Sequence, residues 1–532
     1  MTSLQTDVLI VGGGLGGVAA ALAALRRGRQ VILTEQYPWL GGQLTSQIVP
    51  PDESYWVEQF GITASYRALR DGIRDYYRQN YPLTERARST KELNPGLGRV
   101  SRLCHEPRVA VAVLDALLAP YRASGLLTVL QPALPVAATV DGDLVTSVLV
   151  EHDGQRREIT ASFVLDATET GDLLPLVNAE YVVGAESRAE TGEPNAAEVS
   201  DPQNVQAITW CFAFDHEEGA DHTIERPAEY DRFRAAHPEF WGAPLLSFTA
   251  PDPRTLEPVT RTMNVNPPIV ERGASDQRTD AGDRDLWEFR RILARENFVP
   301  GFLDSDVVVA NWPMLDYLDG SVIDTADAAD HLAGAKELAR SYVYWLQTEA
   351  PRPDGGFGFP GLRLRGDVAG TEDGFAQAPY IRESRRIVAR RTVVEQDISV
   401  ALRGHGGPAT FDDSVGVGMY RIDIHPSTGG DNYIDVECAP FEIPLGALVP
   451  VRLRNFLPAA KNIGTTHITN GAYRLHPVEW NIGESAGELA AFCLEGALDP
   501  GAVLADRALV IAFQARLVEA GIEIHWPEII GY

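Results

Sequence analysis

Lysine is nearly absent from this sequence. Only Lys91, Lys336 and Lys461 occur among 532 residues, so arginine carries almost all of the positive charge. Basic residues of both kinds are outnumbered, 46 against 74 acidic ones, for a formal net charge of −28. A nucleic-acid footprint needs a basic face and an anionic membrane repels an acidic chain, so both are excluded as partners. Cysteine is also scarce: Cys104, Cys211, Cys438 and Cys493 are widely spaced, with no CxxC pair. A disulfide framework and a zinc knuckle are thereby disfavoured, and scattered thiols fit a reducing cytosol. No uninterrupted apolar run is long enough to span a bilayer. The first residues lack the basic, apolar and small-residue pattern of a secretory leader. The expectation is a cytoplasmic protein. His105-Glu106 and His216-Glu217 lack the HExxH spacing, and the GxSxG run Gly483-Glu-Ser-Ala-Gly487 lies inside an expected helix rather than at a strand-to-helix elbow, which argues against a zincin and a serine hydrolase. No metal is expected.

Apolar residues make up 45% and charged residues 23%, close to globular averages. At roughly 100–200 residues per domain, the length suggests two to four domains' worth of chain. Residues 7–11 form a short β-branched apolar run, as a buried parallel strand should. Gly12-Gly-Gly-Leu15-Gly16-Gly17 follows at once, then an Ala/Leu-rich helical stretch to Arg27 and a second strand at 31–34 that ends on Glu35. Gly12 suits the tight turn out of the strand, Gly14 the approach of a pyrophosphate, and Gly17 close packing of helix on strand. The helix N-terminus offers N–H groups to the phosphates. Glu35 stands where a carboxylate accepts ribose hydroxyls and repels a 2′-phosphate, so NADP is excluded. The glycines, both strands, the helix and the acid agree, which a lone GxGxxG would not.

Directly afterwards comes Gln36-Tyr-Pro-Trp-Leu-Gly41-Gly42-Gln43. This second glycine pair resembles FAD-binding proteins of the glutathione-reductase-like group, where the segment runs along the flavin side. Residues 163–172 end a strand in Asp166-Ala167-Thr168 and turn at Gly171-Asp172, resembling the returning strand of the same folds. Before it, Leu144–Val150 and Glu158–Ala161 flank Asp153-Gly154, a hairpin signal. Residues 456–464 read as strand and turn ending at Gly464, and 465–473 as a loop. Arg474-Leu-His476-Pro477 then opens a helix to Leu494, with Pro477 in its first turn. Gly483, Ala486, Gly487 and Ala490 form a small-residue stripe for packing against the nucleotide-binding sheet. Its positive end would favour the charge of a reduced flavin.

Together these segments resemble the FAD-dependent oxidoreductase family, whose members often carry a doubtful "xanthan lyase" label. Asn311-Trp-Pro313, Tyr380-Ile-Arg-Glu-Ser-Arg-Arg386 and Asp423-Ile-His-Pro426 also carry the resemblance, which spans nearly the whole chain. It implies an α/β fold: a Rossmann-type FAD-binding domain with an inserted α+β substrate domain. The expected division is 1–175 and 441–532 for the FAD-binding domain, and 176–440 for a substrate or cap domain with long loops at 187–205 and 250–285. Helices are expected at 286–297, 324–349 and 381–398. FAD is the implied cofactor. Its expected contacts are Gly12, Gly14, Leu15, Gly16, Gly17, Glu35, Gln36, Gly41, Gly42, Gln43, Ala167, Thr168, Gly171, Asp172, Gly464, Arg474, Pro477, Ile482 and Gly483. Two positions depart from the family: His476 is often small or apolar there, and Glu479 usually uncharged. With Trp480 they set a substrate preference or are neutral changes on a helix edge.

There is no second GxGxxG after a strand, since Gly416-Val-Gly418 lacks the third glycine and the helix. An NAD(P)H-driven disulfide reductase is therefore not expected. Two-electron oxidation by hydride transfer to flavin N5 needs a base for the heteroatom proton, and histidine suits that role. The candidates are His467, His425 and His476, the first and last placed nearest the flavin by the resemblance. The arginines at 382, 385 and 386 either hold an anionic group or pair with acids such as Glu383. The expected function is oxidation of a small alcohol, sugar or amine. The alternatives are a flavin monooxygenase or halogenase using an external reductant, and a non-catalytic FAD-binding protein.

Overall fold

A computed structural model describes residues 2–269, 284–404 and 407–527. Strand β1 (Thr2–Val11) leads through the glycine turn into helix α1 (Leu15–Arg26), and β2 (Val31–Thr34) returns beside β1 in parallel. Helix α1 is apolar nearly all round and buried from Leu15 to Leu25, as an internal helix must be. Strand β3 (Leu127–Leu130) extends the sheet beyond β2. Next come β4 (Ala133–Asp141), β5 (Leu144–His152) and β6 (Gln155–Asp166), an antiparallel meander. Asp153 and Gly154 both have positive φ, 52° and 68°, at the β5–β6 turn. That is the backbone a two-residue primed hairpin turn requires, and Asp-Gly supplies it.

Strand β6 does double duty. Its first half pairs with β5, and its last residues pair in parallel with Phe456–Pro458, some 290 positions on. The order β3-β2-β1-β6-β5-β4 with Phe456–Pro458 beside β6 makes a seven-stranded sheet. It draws on both ends of the chain. The long helix His476–Gly496 lies across α1 rather than directly on the sheet. A Cβ on Gly483 would meet Gly16 O at 2.0 Å, and one on Gly487 would meet Ala20 O at 2.3 Å, so the small-residue stripe brings the two helix backbones into contact.

The middle of the chain forms a second, four-stranded antiparallel sheet from Phe212–His216, Arg291–Leu293, Val307–Ala310 and Leu362–Leu364. Its core is aromatic, with Trp241, Trp287, Trp312 and Tyr342 fully buried around it. The helix expected at 324–349 is present as Ala328–Thr348.

Four expectations are corrected. Residues 381–398 form no long helix: only Glu395–Ile398 is helical, and Arg386–Ile387 pairs with Tyr181–Val182. Backbone groups of this stretch bond instead to Glu180, Val449, Gly446 and Gly464, so tertiary partners replace the helical ladder. Residues 465–473 are not a loop but a helix over His467–Tyr473, capped by Thr466, whose hydroxyl accepts from Thr469 N. The helix expected at 286–297 stops at Phe289, and Arg291–Leu293 joins the second sheet. The loops at 187–205 and 250–285 include a helical turn at Arg188–Thr191 and the paired strands Thr249–Pro251 and Pro258–Thr260. Residues 270–283 lie outside the described residues.

Candidate active site

The glycine turn is shaped by close backbone approach. Gly12 has φ +99°, and a Cβ there would lie 2.2 Å from Ala167 O. Gly17 admits no Cβ either, since Gly12 O would lie 1.9 Å away, and at Gly16 the obstacle is Ala459 O at 2.0 Å. Gly14 differs: a Cβ there would meet only the carboxylate ends of Glu169 and Glu479, at 3.1 and 3.3 Å. Room is therefore kept over the start of α1 by movable side chains rather than by backbone. A narrow cleft opens beside it, lined by Gly12, Gly14, Glu35, Gln36, Ala167, Thr168 and Asp172 among others. Glu35 accepts from Gly13 N at 2.7 Å and Tyr37 N at 2.9 Å. Burial pushes its carboxyl up to about 7 in spite of these donors. Thr168 is braced by Asp166, which accepts from its N–H and its hydroxyl.

Gly41 and Gly42 carry the chain from Glu35 to Gln43, and Gly41 N bonds back to Gly13 O at 2.8 Å. The Gln43 amide reaches the start of the long helix, donating to Arg474 O at 3.1 Å and to the Glu479 carboxylate. Its Oε1, and both amide atoms of Gln47, are buried without a partner among the described residues. Unpaired buried amides next to a glycine-kept cleft are the mark of a site built for a polar ligand. The glycines, the ribose-side acid and these amides fit a dinucleotide.

Of the other expected contacts, Arg474 accepts from Gln43 through its carbonyl while its guanidinium bonds Tyr380 and Asp423, Ile482 is in the apolar core, and Gly464 packs on Arg391 O. Gly171 packs on Arg385, while Leu15 is buried and Pro477 occupies the first turn of the long helix, as expected.

Beyond Gln43 lies a buried cluster of charged groups that sequence reasoning largely missed. Arg474 donates to Tyr380 OH at 2.7 Å and to Asp423 Oδ2 at 3.2 Å. Arg290 has Asp52 Oδ1 at 3.7 Å, beyond hydrogen-bond range. Burial pushes the Asp52 carboxyl up, against the pull of Arg290 and Arg474. His425 Nδ1 lies 2.7 Å from Asp316 Oδ2, and its Nε2 lies 3.7 Å from Asp423 Oδ2. Asp316 also accepts from Thr209 Oγ1 at 2.6 Å and pairs with Arg382 at 3.0 Å. Burial opposes its charge, but Arg382 and His425 hold its carboxyl below the usual range. The Tyr433 ring lies against His425, centroids 5.3 Å apart, with its hydroxyl unpartnered among the described residues. Asp423-Ile-His-Pro426, Tyr380–Arg386 and Arg474 were singled out beforehand as separate motifs, but nothing signalled Asp52, Arg290 or Asp316, which come from three other stretches.

The other two histidines have different surroundings. His467 Nδ1 lies within 3.0 Å of both Glu383 oxygens, and Glu383 also binds Arg386 at 2.5 Å. Burial disfavours the His467 imidazolium, yet the Glu383 carboxylate outweighs this and raises it. Glu383 itself is held down at about 2 against its own burial, chiefly by His467 and Arg386. Glu383 accepts from Gln206 N and Gln206 accepts from His425 N, so the two histidines share one network. His476 has both ring nitrogens engaged, Nδ1 accepting from Asp52 N and Nε2 lying 3.2 Å from Val49 O. Burial lowers it to about 3. The arginines pair with acids: Arg382 with Asp316, Arg385 with Asp324 and Asp172, Arg386 with Glu383 and Glu186. Glu479 points at the α1 N-terminus and Trp480 donates to Ser65, so neither lines the charged cluster.

A parallel sheet with a glycine turn, a ribose-side acid and a helix crossing its phosphate end defines a Rossmann-type dinucleotide-binding protein. The chain matches the FAD dependent oxidoreductase family over residues 7–517 and belongs to it; FAD is its cofactor. No curated protein matches it. Among solved structures it is similar to the anhydrotetracycline hydroxylase OxyS from Streptomyces rimosus, 12% identical over 97% of this chain and 67% of that one, with TM-score 0.34. A geranylgeranyl bacteriochlorophyll reductase-like protein from Thermoplasma acidophilum is 10% identical over 98% and 85%, with TM-score 0.32. The L-proline dehydrogenase from P. horikoshii is 16% identical over 34% of this chain, with TM-score 0.19, and the chain spans only 24% of its length. Among the described residues, no helix is long and apolar enough to cross a membrane, and no group of three or more His, Cys, Asp or Glu is placed to hold a metal ion.

Proposed function

We propose that this protein oxidises a small polar molecule, an alcohol, sugar or amine, by two electrons, with His425 as the base. The observation that carries this reading is the Asp316–His425 pair. A buried carboxylate on Nδ1 orients the ring, selects the tautomer with a lone pair on Nε2, and stabilises the imidazolium once formed. His425 Nε2 makes no hydrogen bond among the described residues, so it is available to take the hydroxyl or amine proton of a substrate. His467 also has a carboxylate on Nδ1, but its ring is enclosed beside the Glu383–Arg386 pair, whereas His425 is part-exposed beside Asp423, and His476 has no nitrogen to spare.

Arg290, Arg474 and Tyr380 would orient the polar groups of the substrate, and Asp52 would accept from one of them. Asp52, Arg290, Tyr380 and Arg474 are buried, which strengthens their polar contacts. FAD supplies the two-electron acceptor when bound. Glu35 would accept the ribose hydroxyls, the N–H groups of Gly14–Gly17 the pyrophosphate, and the amides of Gln43 and Gln47 would meet the flavin end.

The test is anaerobic mixing of the yellow protein with a panel of alcohols, sugars and amines, following bleaching near ~450 nm. Bleaching by one of these alone, lost in His425→Gln but not in His476→Gln, is the expected result. Bleaching only by NAD(P)H would replace this reading with a monooxygenase.

A further inference from the structure

The N-terminus of α1 already carries an anion of the chain's own. Gly16 N donates to Glu479 Oε1 at 3.2 Å, and the other Glu479 oxygen accepts from the Gln43 amide. Glu169 stands beside it over Gly14 and Gly42 and forms an ion pair with Lys461. Glu479 and Lys461 are each 1% exposed. Two carboxylates and one ammonium thus occupy the place where helix N–H groups would meet phosphate oxygens. The Gln43 amide, whose Nε2 donates to Glu479, keeps its buried Oε1 without a partner among the described residues.

A pyrophosphate brings two further negative charges to this water-poor corner. Lys461 can offset one charge and is already shared. Glu169 keeps its partner Lys461. Glu479 has only neutral donors, Gly16 N–H and the Gln43 amide, and the phosphates would claim the first.

We propose that Glu479 takes up a proton from solvent when the FAD pyrophosphate binds, so that flavin affinity falls as pH rises. This rests on the reading of Gly12–Gly17 as the pyrophosphate cradle. Protonation turns a repelling carboxylate into a neutral acid whose O–H can donate to a phosphate oxygen. No bond other than O–H forms. The groups that face Glu479 are Lys461 and Glu169 from the turns after Pro458 and Asp166, the Gln43 amide, Gly16 N–H, and the backbone oxygen of Arg474 beyond Gln43. Burial already raises the Glu479 carboxyl; Lys461 opposes this and Glu169 reinforces it. Glu35, raised to about 7, acts with the opposite sign, because its ionised form accepts the ribose hydroxyls, and so opposes the trend only near and below that value.

The test is the dissociation constant of FAD from the full-length protein stripped of flavin, read by fluorescence between about pH 6 and 9. Titration calorimetry in two buffers of different ionisation heat counts the protons. The expected result is weakening by up to ~10-fold per pH unit with net proton uptake, and Glu479→Gln binding tighter at high pH with that uptake removed. The same slope and uptake in Glu479→Gln, or tight binding with no uptake in the unaltered protein, overturns the proposal and leaves the cradle standing. Unchanged FAD affinity in Gly14→Asp overturns the cradle reading, and the proposal with it.

Discussion

At Gly12, Gly16, Gly17 and Gly483 the nucleotide cleft is shaped by missing side chains, with backbone atoms from β6, the turn after Pro458 and α1 pressed against them. At Asp52, Arg290, Asp316, His425 and Arg474 the neighbouring cluster is shaped by large charged side chains that face one another. The first region tolerates no added atom, because its neighbours are backbone that cannot turn aside. The second tolerates changes of shape better than changes of charge, because each group is neutralised by a partner. Sterics therefore shape the glycine turn, and electrostatics the charged cluster.

That contrast can be broken most sharply at His425. His425→Ala should slow substrate-driven flavin reduction by ~10²–10⁴-fold, the usual contribution of a general base, while flavin content stays unchanged in the absorbance spectrum. Equal loss of flavin would show that the two regions are one structural unit.

Next in size is Glu383→Gln, which leaves His467 without its buried counter-charge and Arg386 with Glu186 alone, and should cost ~3–5 kcal/mol in denaturant unfolding. Its pH dependence has a definite sign. The folded carboxyl sits near 2, below its unfolded value, so its stabilisation is present above the unfolded value and lost as pH falls toward 2. Glu383→Gln should flatten that acid limb, and an unchanged acid limb would assign it to other groups.

Gly17→Ala sharpens the steric half. The added methyl meets Gly12 O, and overpacking of this kind costs ~1–3 kcal/mol, with loss of bound flavin on purification. Retained flavin with an unaltered melting temperature would show that the turn can relax.

The smallest effect serves as the control. Asp506 caps the helix Arg507–Glu519 by accepting from Ala508 N at 2.8 Å. Asp506→Ala should cost ~1 kcal/mol of stability and alter neither flavin content nor reduction.

Local signals account for what was legible in advance. The strand–glycine–helix–strand–acid run over 7–35, the Asp153-Gly154 hairpin and the Pro477 helix start each depend on neighbours within a few turns, and each formed where expected. The helix His467–Tyr473 was missed although Thr466 and Thr469 spell a capping box, because Thr, Asn and Gly also read as loop chemistry. The failed helix at 381–398 shows the opposite limit: its arginines are helix formers, but Glu186, Asp316 and Asp324 draw them to different sides.

By itself, then, the amino-acid order determined the cofactor and its turn, since a phosphate-binding turn is a local object whose backbone angles and clearances are written in consecutive residues. Tertiary structure alone decided that His425 meets Asp316 and Asp423 while His467 meets Glu383, and that Glu479 reaches Gly16 across 463 positions. Charge pairing depends on distance in space, and at these separations chain order carries no record of it.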